Sequence, residues 1–307
     1  GLHVYLVGRQ DAVEAELAKH EHAGLPITLV PASEIIEMGE HPAAAARSKR
    51  DSSMAVGMEL VHQGRAHAFV SMGNTGGAMA TALFTLGRIR GVKRPALSTV
   101  FPTVQGFCLI LDIGANADCR PEYLAQFGLM GSVYAERILG KANPRIGILS
   151  NGEEEGKGSE LVKEAYQLLK GSKLNFIGNV EGKDVTEALA DVVVTDGFTG
   201  NVFIKTAEGM AKMMKTFIRE ELKRTPASML GALLAKSAFE RISKRTDYSE
   251  FGGAVLLGVD GIVIVGHGRS NAWAVRSALR VAGQAVERQV VEQIRLSIAA
   301  APTEKGE

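Results

Sequence analysis

The 307-residue chain carries 35 Lys and Arg against 34 Asp and Glu, a formal net charge of +1, and is 46% hydrophobic. Such a balance supports a real core and excludes a whole-molecule field suited to nucleic acid. No apolar run approaches the ~20 residues needed to cross a bilayer. The two cysteines, Cys108 and Cys119, match neither metal-ligand spacing nor a disulfide framework, so a reducing, cytoplasmic setting is expected.

Residues 4–7 and 27–30 read as strands around a helix over 11–22, a βαβ opening. Residues 33–39 form a loop or short helix. Helical pattern resumes at 41–50 and continues to 64, with the polar cluster Lys49-Arg50-Asp51-Ser52-Ser53-Met54 inside it. A strand at 68–71 runs into Met72-Gly73-Asn74-Thr75-Gly76-Gly77 and then a helix over 78–86. Glycines let backbone approach a ligand closely, and Ser71, Asn74 and Thr75 add hydroxyl and amide groups, so Ser71 through Gly76 is a candidate cradle for phosphate or acyl-phosphate. The loop lacks the Gly-Lys-Ser/Thr of a Walker A loop and the glycine spacing of a dinucleotide site. Its structural alternative is a tight turn with close helix packing.

Residues 97–100 and 107–112 are strands joined by a turn, and the second ends in Asp112-Ile113-Gly114-Ala115-Asn116. A helix over 121–139 places Met130 and Tyr134 on its apolar side. The strand at 145–149 leads into Ser150-Asn151-Gly152-Glu153-Glu154-Glu155-Gly156-Lys157-Gly158, where flexible backbone delivers Lys157 into a site; the alternative is a solvated charged loop. A helix over 159–169, a strand at 176–180 and a short helix at 184–190 follow. Val192-Val193-Val194 reads as a buried strand. It breaks into the small-residue loop Asp196-Gly197-Phe198-Thr199-Gly200-Asn201 before another helix. A strand, loop and helix in that order expose N–H groups that favour an anion, with Asp196, Thr199 and Asn201 at the same rim. The alternative is a plain β-to-α connection.

Met210, Met213, Met214, Phe217, Ile218 and Leu222 fall at helical spacing, Thr225-Pro226 stops the pattern, and Met229, Leu230, Leu233 and Leu234 form an apolar tip. Lys212 through Arg245 holds nine Lys and Arg against three Glu. A basic amphipathic hairpin over 210–245 reads either as a membrane-surface element or as a helix pair at a dimer interface. Asp247-Tyr248-Ser249-Glu250-Phe251-Gly252-Gly253-Ala254 and an apolar run to Gly261 precede a strand at 262–265. His267, between Gly266 and Gly268 at that strand's end, reads as a site residue rather than a core histidine. One long helix is expected over 273–298, with Val275, Leu279, Ala282, Val286, Val290 and Ile294 on one face, then a polar tail over 299–307. Strands alternating with helices give an α/β fold with a largely parallel sheet, whose ligands bind outside the strands' carboxyl ends. Five strands end in polar loops, at Ser71, Asp112, Ser150, Thr195 and Gly266.

Taken together, Lys49-x-x-Ser52-Ser53-Met54, Gly73-Asn74-Thr75-Gly76, Leu111-Asp112-Ile113-Gly114-Ala115-Asn116, Gly152-Glu153-Glu154 with Lys157-Gly158, Asp196 through Asn201 with Lys205-Thr206, and Gly252-Gly253-Ala254 with Gly266-His267-Gly268 resemble one family. It is the phosphate acyltransferases of the PlsX type, which make acyl-phosphate from acyl-acyl-carrier-protein and inorganic phosphate. The motifs run in the family's order over nearly the whole chain. The departures are an N-terminal strand with an Asp-Ala-Met-Gly-Gly-Asp loop that this chain lacks, Gly77 where alanine is more usual, and Ser150-Asn151 where an Asn-Ile pair is more usual.

The resemblance implies parallel-rich sheets in two α/β subdomains with a cleft, like the isocitrate/isopropylmalate dehydrogenase architecture. Residues 1–95 with 255–307 would form the first subdomain, and 96–254 the second, which would carry a homodimer interface. It implies Lys157 and Asn201 as indispensable catalytic residues and His267 as proton donor to the leaving thiolate. Phosphate and substrate would be bound by Ser71, Gly73, Asn74, Thr75, Gly76, Lys49, Ser52, Ser53, Asp112, Asn116, Asp196 and Thr199. Partners would be acyl-acyl-carrier-protein, inorganic phosphate, a second copy, and a membrane surface or a downstream glycerol-phosphate acyltransferase; no nucleic acid, cofactor or metal is expected. Cys119 as an acyl-enzyme nucleophile is disfavoured, because no histidine lies near it in sequence. The alternatives are a phosphotransacetylase acting on acyl-CoA, a metal-dependent hydroxyacid dehydrogenase of the same fold, and a non-catalytic scaffold for lipid enzymes.

Overall fold

The computed structural model describes residues 1–246 and 252–301. Strand β1 (Val4–Gly8), helix α1 (Gln10–Leu17) and strand β2 (Ile27–Pro31) open the chain, and the two strands pair in parallel as a small sheet of their own. Helices α2 (Pro42–Ser48) and α3 (Ser53–His62) come next, then β3 (Ala68–Ser71) and α4 (Thr75–Thr85). Of the polar cluster at 49–54, residues 49–52 are thus the break between two helices, and Ser53 and Met54 open the second. Ser52 caps α3, accepting from Ala55 N at 3.3 Å, which is where serine is favoured in a helix.

The hairpin of β4 (Ala96–Thr103) and β5 (Gly106–Leu111) leads through α5 (Pro121–Arg137) to β6 (Ile146–Leu149), α6 (Glu160–Lys170), β7 (Phe176–Val180), α7 (Gly182–Thr186) and β8 (Val192–Val194). Three helices follow without a strand between them: α8 (Gly197–Leu222), α9 (Pro226–Leu234) and α10 (Lys236–Thr246). The chain then returns as β9 (Ala254–Leu257), β10 (Ile262–Val265), α11 (Ala272–Glu287) and α12 (Val290–Ala300). The sequence readings on Asp247 through Phe251 and on the tail beyond residue 301 lie outside the described residues.

Eight strands form one sheet in the order β3-β10-β9-β4-β5-β8-β6-β7. Four of its pairings are parallel, and the β10-β9-β4-β5 centre is antiparallel. Alternate residues of a strand face opposite sides. Leu109, Leu111, Val192, Val194, Val255 and Ile264 therefore enter one continuous core, under side chains of α5, α6, α11 and α12. The other face carries two cores. One, with Phe69, Leu97, Leu256, Val263 and Val265, is covered by α2, α3 and α4. The other, with Cys108, Ile110 and Val193, is covered by Val185 of α7 and by Phe203 and Ile204 of α8. Ile113 packs against both.

The expected single helix over 273–298 is two, because Gln289 is left-handed at φ 53°. Ala278, Val281 and Ala285 are buried before the break, and Val290, Ile294 and Ile298 after it. Both halves keep the 3.6-residue period, so periodicity alone does not reveal a break of this length.

Asp191, just before β8, is buried among cations. Burial would push its carboxyl up, but bonds from Arg145 Nε and Arg145 N and from Lys141 hold it down to about 2. A carboxylate held below its unfolded value of ~3.9 contributes stability that is present above that pH and lost as pH falls toward the folded value. Acid titration of the urea midpoint is expected to show a loss between about pH 4 and pH 2 that is absent in Asp191→Asn, a variant already weaker at neutral pH.

Candidate functional site

The polar loops fall into two sets. Strands β3 and β10 run together, and the three antiparallel pairings reverse the sense for β5, β8, β6 and β7. The loops after Ser71 and Val265 therefore leave the sheet in the opposite sense to those after Leu111, Leu149 and Val194. The five polar strand ends noted in the sequence thus divide between two senses, because the antiparallel pairings of β9 and of the β4-β5 hairpin stand between the sets.

The first corner joins Ser71, Gly73, Asn74, Thr75, Gly76 and His267. Gly266 N donates to Ser71 O at 2.8 Å, which places the His267 turn beside the Ser71 loop. His267 is exposed, and its Nδ1 accepts from Arg269 N at 3.2 Å. A ring nitrogen that accepts leaves the proton on Nε2 in a neutral imidazole. Asn74 is buried and caps α4, its Oδ1 accepting from Gly77 N at 2.9 Å while its Nδ2 donates to Glu37 O at 2.9 Å and Met38 O at 3.3 Å. Ser71 Oγ takes Gly73 N at 3.2 Å. The first turn of a helix leaves N–H groups unpaired, and those of Thr75 and Gly76 have no partner among the described residues. The second half of the loop expected over 72–77, from Thr75 on, is thus the first turn of α4. Lys49 and the Ser53 amide engage residues 33–40, while Ser52 serves as the cap of α3.

The second corner joins Asp112, Asn116, Asp196, Thr199 and Asn201. Asp112 is fully buried and gathers five donors: Leu97 N at 3.1 Å, Gly114 N at 3.0 Å, Ala115 N at 2.9 Å, Asn116 N at 2.7 Å and Asn116 Nδ2 at 2.9 Å. Burial pushes its carboxyl up and these donors pull the other way. Asp196 caps α8, taking Thr199 N at 2.8 Å and Thr199 Oγ1 at 2.7 Å. The six-residue loop read at 196–201 is therefore a cap and a helical turn. Gly197 N donates to Asn116 O at 2.7 Å, docking α8 on the 112–116 turn. A Cβ on Gly197 would lie 2.6 Å from Asn116 O, and one on Gly200 only 1.9 Å from Asp112 O. Gly114, at φ 142°, faces the Asn201 side chain: a Cβ there would be 4.0 Å from Asn201 Cγ. The need for glycine at 114, 197 and 200 was not legible from spacing.

Lys157 stands on a neighbouring loop, after β6, which pairs with β8. It is exposed and lines a cleft of about 470 Å³ with Asn151, Gly152, Glu153, Glu154 and Glu181. Lys183 bonds Glu153 at 3.0 Å, Asp184 at 3.6 Å and also Glu181. That ammonium sits among a trio of carboxylates whose spacing would otherwise suit a cation, offsetting part of their charge. Lys157 makes no ion pair among the described residues, so its charge faces the cleft. Cys119 lies at the second corner, its Sγ 3.6 Å from Asn116 O. Burial, with Asp112 adding to it, pushes the thiol up to about 12, and a thiol rather than a thiolate is a poor nucleophile.

A family model described as fatty acid synthesis protein matches residues 1–293. The chain belongs to this family. Among curated relatives named phosphate acyltransferase, that of Heliobacterium modesticaldum is 51% identical over 96% of this chain and 88% of its own length. That of Pelotomaculum thermopropionicum is 48% identical over 97% and 86%. Among solved structures, a phosphotransacetylase from Streptococcus pyogenes matches with a TM-score of 0.56 at 15% identity, covering 96% of this chain and 85% of that one. One from Staphylococcus aureus gives 0.52 at 15% identity, over 97% and 94%. At such identity the likeness is one of fold, and it agrees with the α/β class read from the alternation of strands and helices.

Proposed function

We propose that this chain is a phosphate acyltransferase that moves a fatty acyl group from acyl-acyl-carrier-protein to inorganic phosphate, giving acyl-phosphate for phospholipid synthesis. The observation that carries this reading is the near-complete match, at about half identity, to relatives named phosphate acyltransferase. A phosphate oxygen attacks the thioester carbonyl, the tetrahedral intermediate collapses, and the C–S bond breaks to release the carrier's thiol. Phosphate is already anionic at neutral pH, so holding the reactants in line and stabilising the oxyanion matter more than a strong base. Lys157 offsets negative charge, and Asn201 donates to phosphate or oxyanion. Thr75 and Gly76 offer the open N–H groups of α4 to an anion, and His267 Nε2–H meets the leaving thiolate, whose proton comes from the phosphate group as acylation makes it more acidic. This reaction requires that the two corners, which leave the sheet in opposite senses, close on one substrate across the face where Ile113 packs into both cores, between the proposed subdomains, 1–95 with 255–307 and 96–254.

The test mixes the chain with palmitoyl-acyl-carrier-protein and follows thiol release with and without inorganic phosphate, and repeats it with palmitoyl-CoA. Phosphate-dependent release from the carrier-bound substrate is expected. Release from the CoA thioester alone would favour a phosphotransacetylase, and no release from either would end the acyl-transfer reading.

The α8–α10 segment leaves Met210, Met213, Phe217, Leu230, Leu233 and Leu234 exposed, and no described helix is long and apolar enough to cross a membrane. We propose that a second copy covers part of this face and an anionic membrane, or a glycerol-phosphate acyltransferase resting there, the remainder. Sedimentation with and without anionic vesicles tests it: a monomer that stays free of vesicles would remove both partners.

A further inference from the structure

We infer that Lys49 is a positioning residue, acting on the α4 anion corner through a strap formed by residues 33–41; the inference deepens the phosphate-acyltransfer reading and rests on it. The strap is tied at its start by Asp51, whose Oδ2 takes Ser33 N at 2.8 Å, and by Glu34, whose O takes Ser53 N at 3.3 Å. At its far end Lys49 Nζ donates to Ile35 O and to Glu40 Oε2, both at 2.7 Å. The same Glu40 oxygen takes Glu37 N at 2.7 Å. The Glu37 and Met38 carbonyls hold the Asn74 amide, and Asn74 Oδ1 holds Gly77 N. Polar contacts thus run unbroken from Lys49 through Glu40, Glu37 and Asn74 into the first turn of α4.

Packing follows the same path. Ile36 is buried, and a Cβ on Gly77 would come within 2.9 Å of its Cγ2. Pro42, just past the strap, lies so close that a Cβ on Gly76 would be 2.6 Å from its Cγ. The N–H groups left open, Thr75 and Gly76, belong to the turn this strap clamps. The Lys49 ammonium has two acceptors at hydrogen-bond distance, so its charge is engaged by the strap. The resemblance placed Lys49, Ser52 and Ser53 among phosphate-binding groups; in this structure Lys49 and the Ser53 amide bond the strap and Ser52 caps α3.

A direct phosphate ligand and a positioning residue respond oppositely at Glu40. If Lys49 touched phosphate, Glu40→Gln would free its charge and leave the KM for phosphate equal or lower. If Lys49 acts through the strap, Glu40→Gln and Lys49→Met each loosen the same clamp. Both variants are expected to raise the KM for inorganic phosphate about tenfold, since small misplacements of a binding group cost that order or more. The KM for acyl-acyl-carrier-protein should stay within twofold. Lys49→Arg, which keeps the charge and the donors, should recover most of the loss. The double variant should be no worse than the worse single one, as for residues in one network. Amide hydrogen exchange is the second readout and needs no turnover: the Glu37 and Gly77 amides should exchange faster in both variants, while the β8 core amides do not change. Unchanged exchange at Gly77 in Glu40→Gln overturns the inference even if the enzyme is active. Absence of phosphate-dependent release in the unaltered chain, with exchange altered as expected, would remove the functional reading and leave the clamp standing.

Discussion

Alanine at Lys157 or at Asn201 is expected to lower kcat for phosphate-dependent thiol release by about 10²–10³-fold, the usual cost of losing one charge-stabilising donor. Attack on the thioester collects negative charge from phosphate and on the carbonyl oxygen, so a donor present only for the intermediate lowers kcat rather than raising KM. Both residues leave the sheet on neighbouring strands of the same sense, β6 and β8, so one ligand can meet both. Their side chains are exposed, and truncating an exposed side chain leaves stability within about 0.5 kcal/mol; the melting midpoint should hold. Lys157 differs in this respect from Lys183 beside the cleft, which pairs with three carboxylates whereas Lys157 pairs with none among the described residues. Lys183→Ala is therefore expected to perturb the 181–184 turn and to leave a cleft with excess negative charge. Residues that act as a unit are not additive, so the Lys157→Ala/Asn201→Ala enzyme should lose little beyond the worse single variant. Turnover within fivefold of the unaltered enzyme in either single variant would return Lys157 to the solvated charged loop, or Asn201 to an ordinary helix surface.

How legible this was from sequence depended on whether the governing contact was local. The β3 and β8 strands and the α5 and α6 helices follow from β-branched runs and apolar period, and they are where the pattern puts them. The loops at 72–77 and 196–201 were read as longer than they are, because glycine, threonine and asparagine are permitted in a helix's first turn. The side chains of Asn74 and Asp196 cap those turns, and an N-cap reading of each would have moved the boundary. Strand order was out of reach: nothing local states that β9 enters between β10 and β4, where its two antiparallel pairings cancel and leave the β4-β5 hairpin to send the Ser71 and Lys157 loops away in opposite senses. The strap was illegible for the same reason, since Lys49 meets Ile35 and Glu40, and Asn74 meets Glu37. Motif order singled out Lys49 without saying what it touches.

Two glycines of α8 should answer alanine with opposite signs. Alanine in a helix is favoured over glycine by about 1 kcal/mol where nothing obstructs it. Gly209 meets nothing within 4 Å, so Gly209→Ala is expected to stabilise the chain by about 0.5–1 kcal/mol. At Gly200 a Cβ would sit 1.9 Å from Asp112 O and 2.9 Å from Thr195 Cγ2. The first of these neighbours is backbone and cannot swing aside. Asp112 is pinned by five donors and by its own N–H to Thr195 O at 3.0 Å, so relief requires α8 to lift from the 112–116 turn. Lifting it breaks the bond from Gly197 N to Asn116 O and carries Asn201 away from Gly114. Overpacking of a tight contact costs about 1–3 kcal/mol and occasionally more, and here a loss of about 3 kcal/mol or greater is expected. Urea unfolding measures both variants: the Gly200→Ala midpoint should fall steeply and the Gly209→Ala midpoint rise. Since the same displacement moves Asn201, the folded fraction of Gly200→Ala should also lose turnover, whereas Gly209→Ala should keep it. A Gly200→Ala protein as stable and active as the unaltered chain would mean that α8 docks less closely on Asp112 than this packing requires, and that Asn201 is not held in place by that contact.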